Sequence, residues 1–127
     1  MPRPVHFEIH ASDPDRLARF YETMFGWSIQ KWGDMPYWMV STGSDGPGID
    51  GGMLPRMGPA PSAGAPVNGF VVTVDVPDVD GYTARALEEG ATIALPKMAV
   101  PGVGWLVYLL DPDTNIFGML QADDGAS

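Results

Sequence analysis

"VHFEIHASDPDRLARFYETMFGW", residues Val5 to Trp27, carries a strand, a capped helix and the turn out of it in one run. Its first residues alternate: Val5, Phe7 and Ile9 on one side, His6, Glu8 and His10 on the other. That is the period of a strand with one face against a core. Asp13 then suits an N-cap, Pro14 the first helical position and Gly26 a helix C-cap. Leu17, Phe20, Tyr21 and Met24 recur at helical spacing, so the helix has one apolar face. The chain has only two histidines, and both stand in the strand's polar row with a glutamate between them.

Working outward, three strand-like pieces follow, Trp27–Trp32, Tyr37–Thr42 and Ile49–Pro55, parted by Gly, Asp and Pro turns. "RMGPAPSAGAP" has linker composition, and a module boundary is expected inside it. The order then restarts. "FVVTVDV" reads as a strand, and Asp78 caps the helix "DVDGYTARALEEG", which ends at Gly90. Further strands are expected at Thr92–Leu95, Gly104–Leu110 and Ile116–Gln121, with "ADDGAS" as a mobile tail. Trp38-Met39-Val40 is echoed by Trp105-Leu106-Val107, and "GML" occurs at Gly52–Leu54 and again at Gly118–Leu120. Each half is thus one strand, one helix and three strands, with module 1 over about 1–58, a linker over about 59–66 and module 2 over about 67–121. A half of roughly 60 residues is marginal alone, so the two are expected to make a single domain.

The bulk numbers exclude several classes. With 127 residues, 45% hydrophobic and 18% charged, the chain reads as an ordinary globular domain. No apolar run approaches the ~20 residues of a membrane-spanning helix, and no signal peptide is apparent. There is no cysteine, which rules out disulfides and thiolate metal sites and makes the cytoplasm the default location. The net charge is −9, and the seven basic residues are scattered, which argues against nucleic acid. Eight methionines and four tryptophans fit an adaptable apolar pocket or plain core equally well. No phosphate-cradling loop, H-E-x-x-H or G-x-S-x-G motif is present.

With "SDPDRLARFYETMFGW" near its start and "YLLDPDTNIFGML" near its end, the chain resembles the vicinal oxygen chelate superfamily. That superfamily includes glyoxalase I, extradiol dioxygenases, methylmalonyl-CoA epimerase, and the bleomycin- and fosfomycin-resistance proteins. The resemblance implies an α+β fold in which two paired βαβββ modules form an eight-stranded cupped sheet with helices outside. It implies a homodimer, and a divalent metal held by side chains from the first and last strands of each module. His6 matches the first-strand ligand. Its second-module counterpart is Val71, with Thr73 and Asp75 further along the same face. On the last strand the family often reads D-P-x-G-N-x-x-E, and Gly118 takes the glutamate's place, with Gly51 or Gly52 as the first-module counterpart. Tight metal binding takes three or four protein ligands, so the family's metal site is expected to be dismantled and no cofactor is expected. A divalent metal at His6 is the less favoured alternative.

Three readings of His6 and Glu8 stand open. They are an acid–base pair tuned by burial, a buried structural pair bonded to each other, or part of a replacement metal site. His10, at the strand end, is expected to matter less. Tyr108 matches a position from which fosfomycin-resistance proteins reach their ligand. The cup orientation then turns Leu106 and Tyr108 inward with Met39 and Ser41, and Trp38 and Trp105 towards the helices. "PKMAVPGVGW" is a candidate loop over the cup mouth, and its Lys97 is among the few cations available to an anionic ligand. The expected ligand is a small, largely apolar molecule, with neither nucleic acid nor membrane as partner. The expected activity is that of a glyoxalase-like lyase or isomerase, with His6 and Glu8 catalytic and Tyr108, Met39, Ser41 and Leu106 in contact with substrate. The alternative is a binding protein of the bleomycin-resistance kind, without chemistry.

Overall fold

The computed structural model describes residues 3–127, and among them two helices and eight strands follow the order strand, helix, three strands, twice over. The chain divides into two units, the first ending at Ala60 and the second beginning at Pro61. Among the described residues no helix is long and apolar enough to cross a membrane.

In the first unit β1 (His6–Ala11) leads into α1 (Pro14–Phe25), then β2 (Ser28–Lys31), β3 (Trp38–Ser41) and β4 (Asp50–Pro55). The helix is set by its own ends. The Asp13 carboxylate accepts from the Arg16 N–H at 3.3 Å, and Gly26, left-handed at φ 70°, donates its N–H to the Glu22 carbonyl at 2.9 Å. The capping carboxylate is worth about 1 kcal/mol. The sheet order is β1-β4-β3-β2, with β1 parallel to β4 and the other pairs antiparallel. Leu17, Phe20, Tyr21 and Met24 of α1 are buried, as are Ala11, Ile29, Val40 and Met53 on alternate strand positions. Trp27 closes this core by stacking on Tyr21 and lying tilted against Phe7.

The second unit repeats the plan with β5 (Thr73–Asp75), α2 (Val79–Glu88), β6 (Thr92–Val100), β7 (Gly104–Leu110) and β8 (Ile116–Ala122), in the order β5-β8-β7-β6. Val107, Leu109, Phe117 and Met119 are buried together with Val79 and Ala86 of α2. The buried Asp111 carboxylate organises the turn before β8, accepting from the N–H groups of Asp113 and Asn115 and from the Asn115 amide. Thr114 in that turn is left-handed at φ 65°, where the family pattern has glycine.

Three local expectations are corrected. The strand read from Phe70 begins only at Thr73. The register Thr73↔Gly118, carried back, sets Phe70 level with Asn115, before β8 starts, so Phe70 has no strand beside it and is fully exposed. The "PKMAVPGVGW" stretch is no loop over a mouth. Its first half extends β6 to Val100, and its end opens β7. Pro96 is tolerated because β6 is an edge strand with register shifts on either side of Leu95. Residues 122–127 are not a loose tail. The Asp123 carboxylate accepts from the Trp105 indole at 2.9 Å and from the Gly125 N–H, and the buried Ala126 accepts from the Gly102 N–H.

Candidate functional site

The register of β1 is the one its alternation predicts. Phe7 and Ile9 are half-buried on the α1 side, while His6, Glu8 and His10 are exposed on the other face. Pairing with β4 sets Asp50 beside His6 and Gly52 beside Glu8, and pairing with β3 sets Met39 beside Gly52. Met39 and Ser41 therefore share the exposed face with His6 and Glu8. Trp38 turns the other way, its indole donating to Asp15 of α1 at 3.2 Å.

His6 and Glu8 meet through a third residue that the sequence reading left out. The Tyr37 hydroxyl lies 2.7 Å from His6 Nε2 and donates to Glu8 Oε2 at 3.2 Å. The phenol is held by its own hairpin, in which the Tyr37 carbonyl accepts from the Trp32 N–H and the Trp32 ring meets Tyr37 edge-on. It also needs space over β4. A Cβ on residue 52 would stand 1.8 Å from the Tyr37 oxygen, so only glycine admits the ring there. Desolvation, then the hydrogen bond and charge of Glu8, push the Tyr37 hydroxyl above the usual phenol range. The expectation of a buried pair is thus corrected: both residues are exposed, and Tyr37 bridges them.

Two signals in the sequence point to Tyr37. The alternation that sets Met39 and Ser41 on one face sets Tyr37 there too. A glycine inside a strand marks a close approach by another group, and aromatic side chains often cover such glycines.

In the second unit Leu106 and Tyr108 lie on the face opposite the buried Val107 and Leu109. Tyr108 pairs with Gly118, where an added Cβ would stand 3.0 Å from the Tyr108 ring and 3.1 Å from Thr73 Oγ1. Each unit thus sets a tyrosine ring close to a glycine of its last strand. Lys97 is removed from the candidates for an anionic ligand. It pairs with Asp80 of α2 at 3.1 Å and lies over the Trp105 ring, on the helix side of its sheet. His10 stands at the strand end, its carbonyl accepting from Arg56.

These residues do not assemble the donor set a family metal needs. Gly52 and Gly118 offer no side chain; the Tyr37 ring occupies the space above Gly52, and the Tyr108 ring lies close beside Gly118. His6 and Glu8 already share the Tyr37 hydroxyl, and among the described residues no group of three or more His, Cys, Asp or Glu is gathered for an ion.

The sequence profile of the glyoxalase-like domain matches residues 6–120. No curated protein matches. Several solved structures share the fold. A glyoxalase/bleomycin resistance protein/dioxygenase family enzyme from Burkholderia phytofirmans PsJN is 19% identical, covering 93% of this chain and 97% of its own, with a TM-score of 0.71. TioX from Micromonospora sp. ML1 is 20% identical over 96% of this chain and 100% of its own, with a TM-score of 0.66. The fosfomycin resistance protein FosX from Listeria monocytogenes, in complex with Mn(II) and 1S,2S-dihydroxypropylphosphonic acid, is 15% identical. It covers 97% of this chain and 92% of its own, with a TM-score of 0.73.

Proposed function

The chain belongs to the glyoxalase-like domain family, and on that premise we propose that it is a small-molecule lyase or isomerase using His6 and Glu8 as its acid–base pair. The observation that carries the reading is the convergence of His6 Nε2 and Glu8 Oε2 on one hydroxyl at an exposed sheet face. Both groups stand on an exposed face, where a ligand can reach them. Positioned acid and base groups of this kind contribute about 10²–10⁴-fold to proton transfer. Met39 and Ser41 border the pair and are assigned to substrate contact. Leu106 and Tyr108 are assigned the same role on the free face of the second unit.

The substrate is taken to be neutral and largely apolar. The strand positions of the first sheet's exposed face carry His6, Glu8, His10 and Asp50 and no lysine or arginine, and Lys31 turns to the helix side over Trp38. An anionic ligand would meet like charge there. FosX, by contrast, is seen with a phosphonic acid and Mn(II). The proposed activity acts in the cytoplasm, within one glyoxalase-like domain, as a homodimer.

The test uses acetophenone and hydroxyacetone, neutral ketones with exchangeable protons beside the carbonyl. Incubation in D₂O followed by proton NMR is expected to show protein-dependent exchange, lowered roughly 10²-fold in Glu8→Gln with affinity kept. Exchange equal in both proteins overturns the assignment. The second reading, a protein that sequesters its ligand, is favoured by the glycines that stand at the ligand positions of both last strands, each with a tyrosine ring close by. It predicts binding without exchange.

A further inference from the structure

Tyr37 has one proton to give, and the Glu8 carboxylate can only accept, so the bond to Oε2 directs that proton to Glu8. The 2.7 Å contact on the other side then makes His6 the donor, with Nε2–H aimed at the phenol oxygen. The three groups form one directed chain from His6 through Tyr37 to Glu8. It exists because residue 52 has no side chain, since a Cβ there would collide with the hydroxyl. The hydroxyl also keeps its proton past the ordinary phenol range, chiefly through desolvation and then through the bond to Glu8.

Building on the acid–base reading above, we infer that Tyr37 makes His6 and Glu8 a single proton relay, seated by Gly52, that suits moving a proton between two positions of one neutral ligand. Neutral His6 takes the ligand's proton on Nδ1, which breaks a C–H bond and leaves the electron pair on the ligand. The Nε2 proton passes to the Tyr37 oxygen while the Tyr37 proton passes to Glu8 Oε2. Glu8, now a carboxylic acid, protonates the ligand where the electron pair has moved. The ligand is isomerised with no oxidant or co-reactant. Glu8 returns to a carboxylate, and exchange with water returns His6 to its Nε2–H form.

Other ionisable groups face His6 as well: Glu8 and His10 along β1, and Asp50 beside it on β4, whose Oδ1 accepts from the Thr42 N–H and hydroxyl. The test must separate the relay from their fields. NMR of the imidazole rings does so, because the chain has two histidines and His10 serves as the reference. The wild-type His6 ring is expected to show a second inflection at acid pH, as the Glu8 carboxylate takes up its proton. Glu8→Gln, Tyr37→Phe and Gly52→Ala should each abolish it and leave His10 unchanged. Tyr37→Phe keeps the ring over Gly52, so a tyrosine that only packs would leave the inflection in place. An inflection surviving Tyr37→Phe, or absent from the wild type, overturns the relay. Because no ligand is added, failure of the relay leaves the ketone test standing, and failure of the ketone test leaves the relay standing.

Discussion

Replacing Gly52 with alanine should be destabilising or stabilising according to what stands at position 37. Gly52 has no positive φ, so its backbone accepts an L side chain and the whole penalty is a collision. The added Cβ would stand 1.8 Å from the Tyr37 oxygen, 2.1 Å from Cζ and 2.6 Å from Cε1. These atoms are the free end of a side chain, so the ring swings away and the backbone stays. The variant then loses two hydrogen bonds, at the low end of about 0.5–1.5 kcal/mol each because the groups are exposed. It also loses the ring contacts with His6 and Trp32, roughly 0.5–1 kcal/mol together. Against this, alanine in a strand interior gains about 0.5–1 kcal/mol over glycine. The net cost in the wild-type background is therefore about 1 kcal/mol. In a Tyr37→Ala background the space is free, and the same substitution should stabilise by about 0.5–1 kcal/mol. Urea unfolding of the four proteins measures the coupling, roughly 2 kcal/mol, once coincident transitions by two probes establish two-state behaviour. Equal effects of Gly52→Ala in both backgrounds, within about 0.5 kcal/mol, would refute the proposed seat.

Asp111→Ala should cost roughly 3–5 kcal/mol, because it strands three N–H donors on a buried carboxylate's site, and a loss under 1 kcal/mol in urea unfolding would contradict that account. The Trp105 indole, then the Gly125 N–H, hold the Asp123 carboxyl below its usual value. A lowered folded value means stability that is complete above the unfolded value of about 3.9 and lost as pH falls through the folded one. The advantage of wild type over Asp123→Asn in thermal melts should therefore shrink below about pH 4, and a constant gap across that range would show that Asp123 does not titrate this way.

Elements whose signals are local were legible in the sequence. Asp13, Pro14 and Gly26 delimit α1 with chemistry that acts within one helical turn, and α1 forms where they put it. The alternation of Val5 to His10 fixes which side chains share a face whatever lies beside the strand, so the common face of His6 and Glu8 follows from period alone. Wherever a neighbour decides the outcome, the local signal failed. Phe70 has the composition of a strand start, yet carried back along the Thr73↔Gly118 register it lies level with Asn115, before β8 begins. Pro96 and Pro101 suggest a loop, yet an edge position lets β6 run past Pro96 to Val100. Lys97 looks free in the sequence, and Asp80 and Trp105 claim it only once α2 packs on its sheet. The same holds for the site. The sequence supplies an imidazole and a carboxylate on one strand, about 6.6 Å apart along the backbone and too far to bond unaided. Only the parallel pairing of β1 with β4 and the hairpin before β3 bring Gly52 and Tyr37 to them. A phenol then fits over a missing side chain and joins the two groups, and no local propensity encodes a contact between segments so distant in the chain.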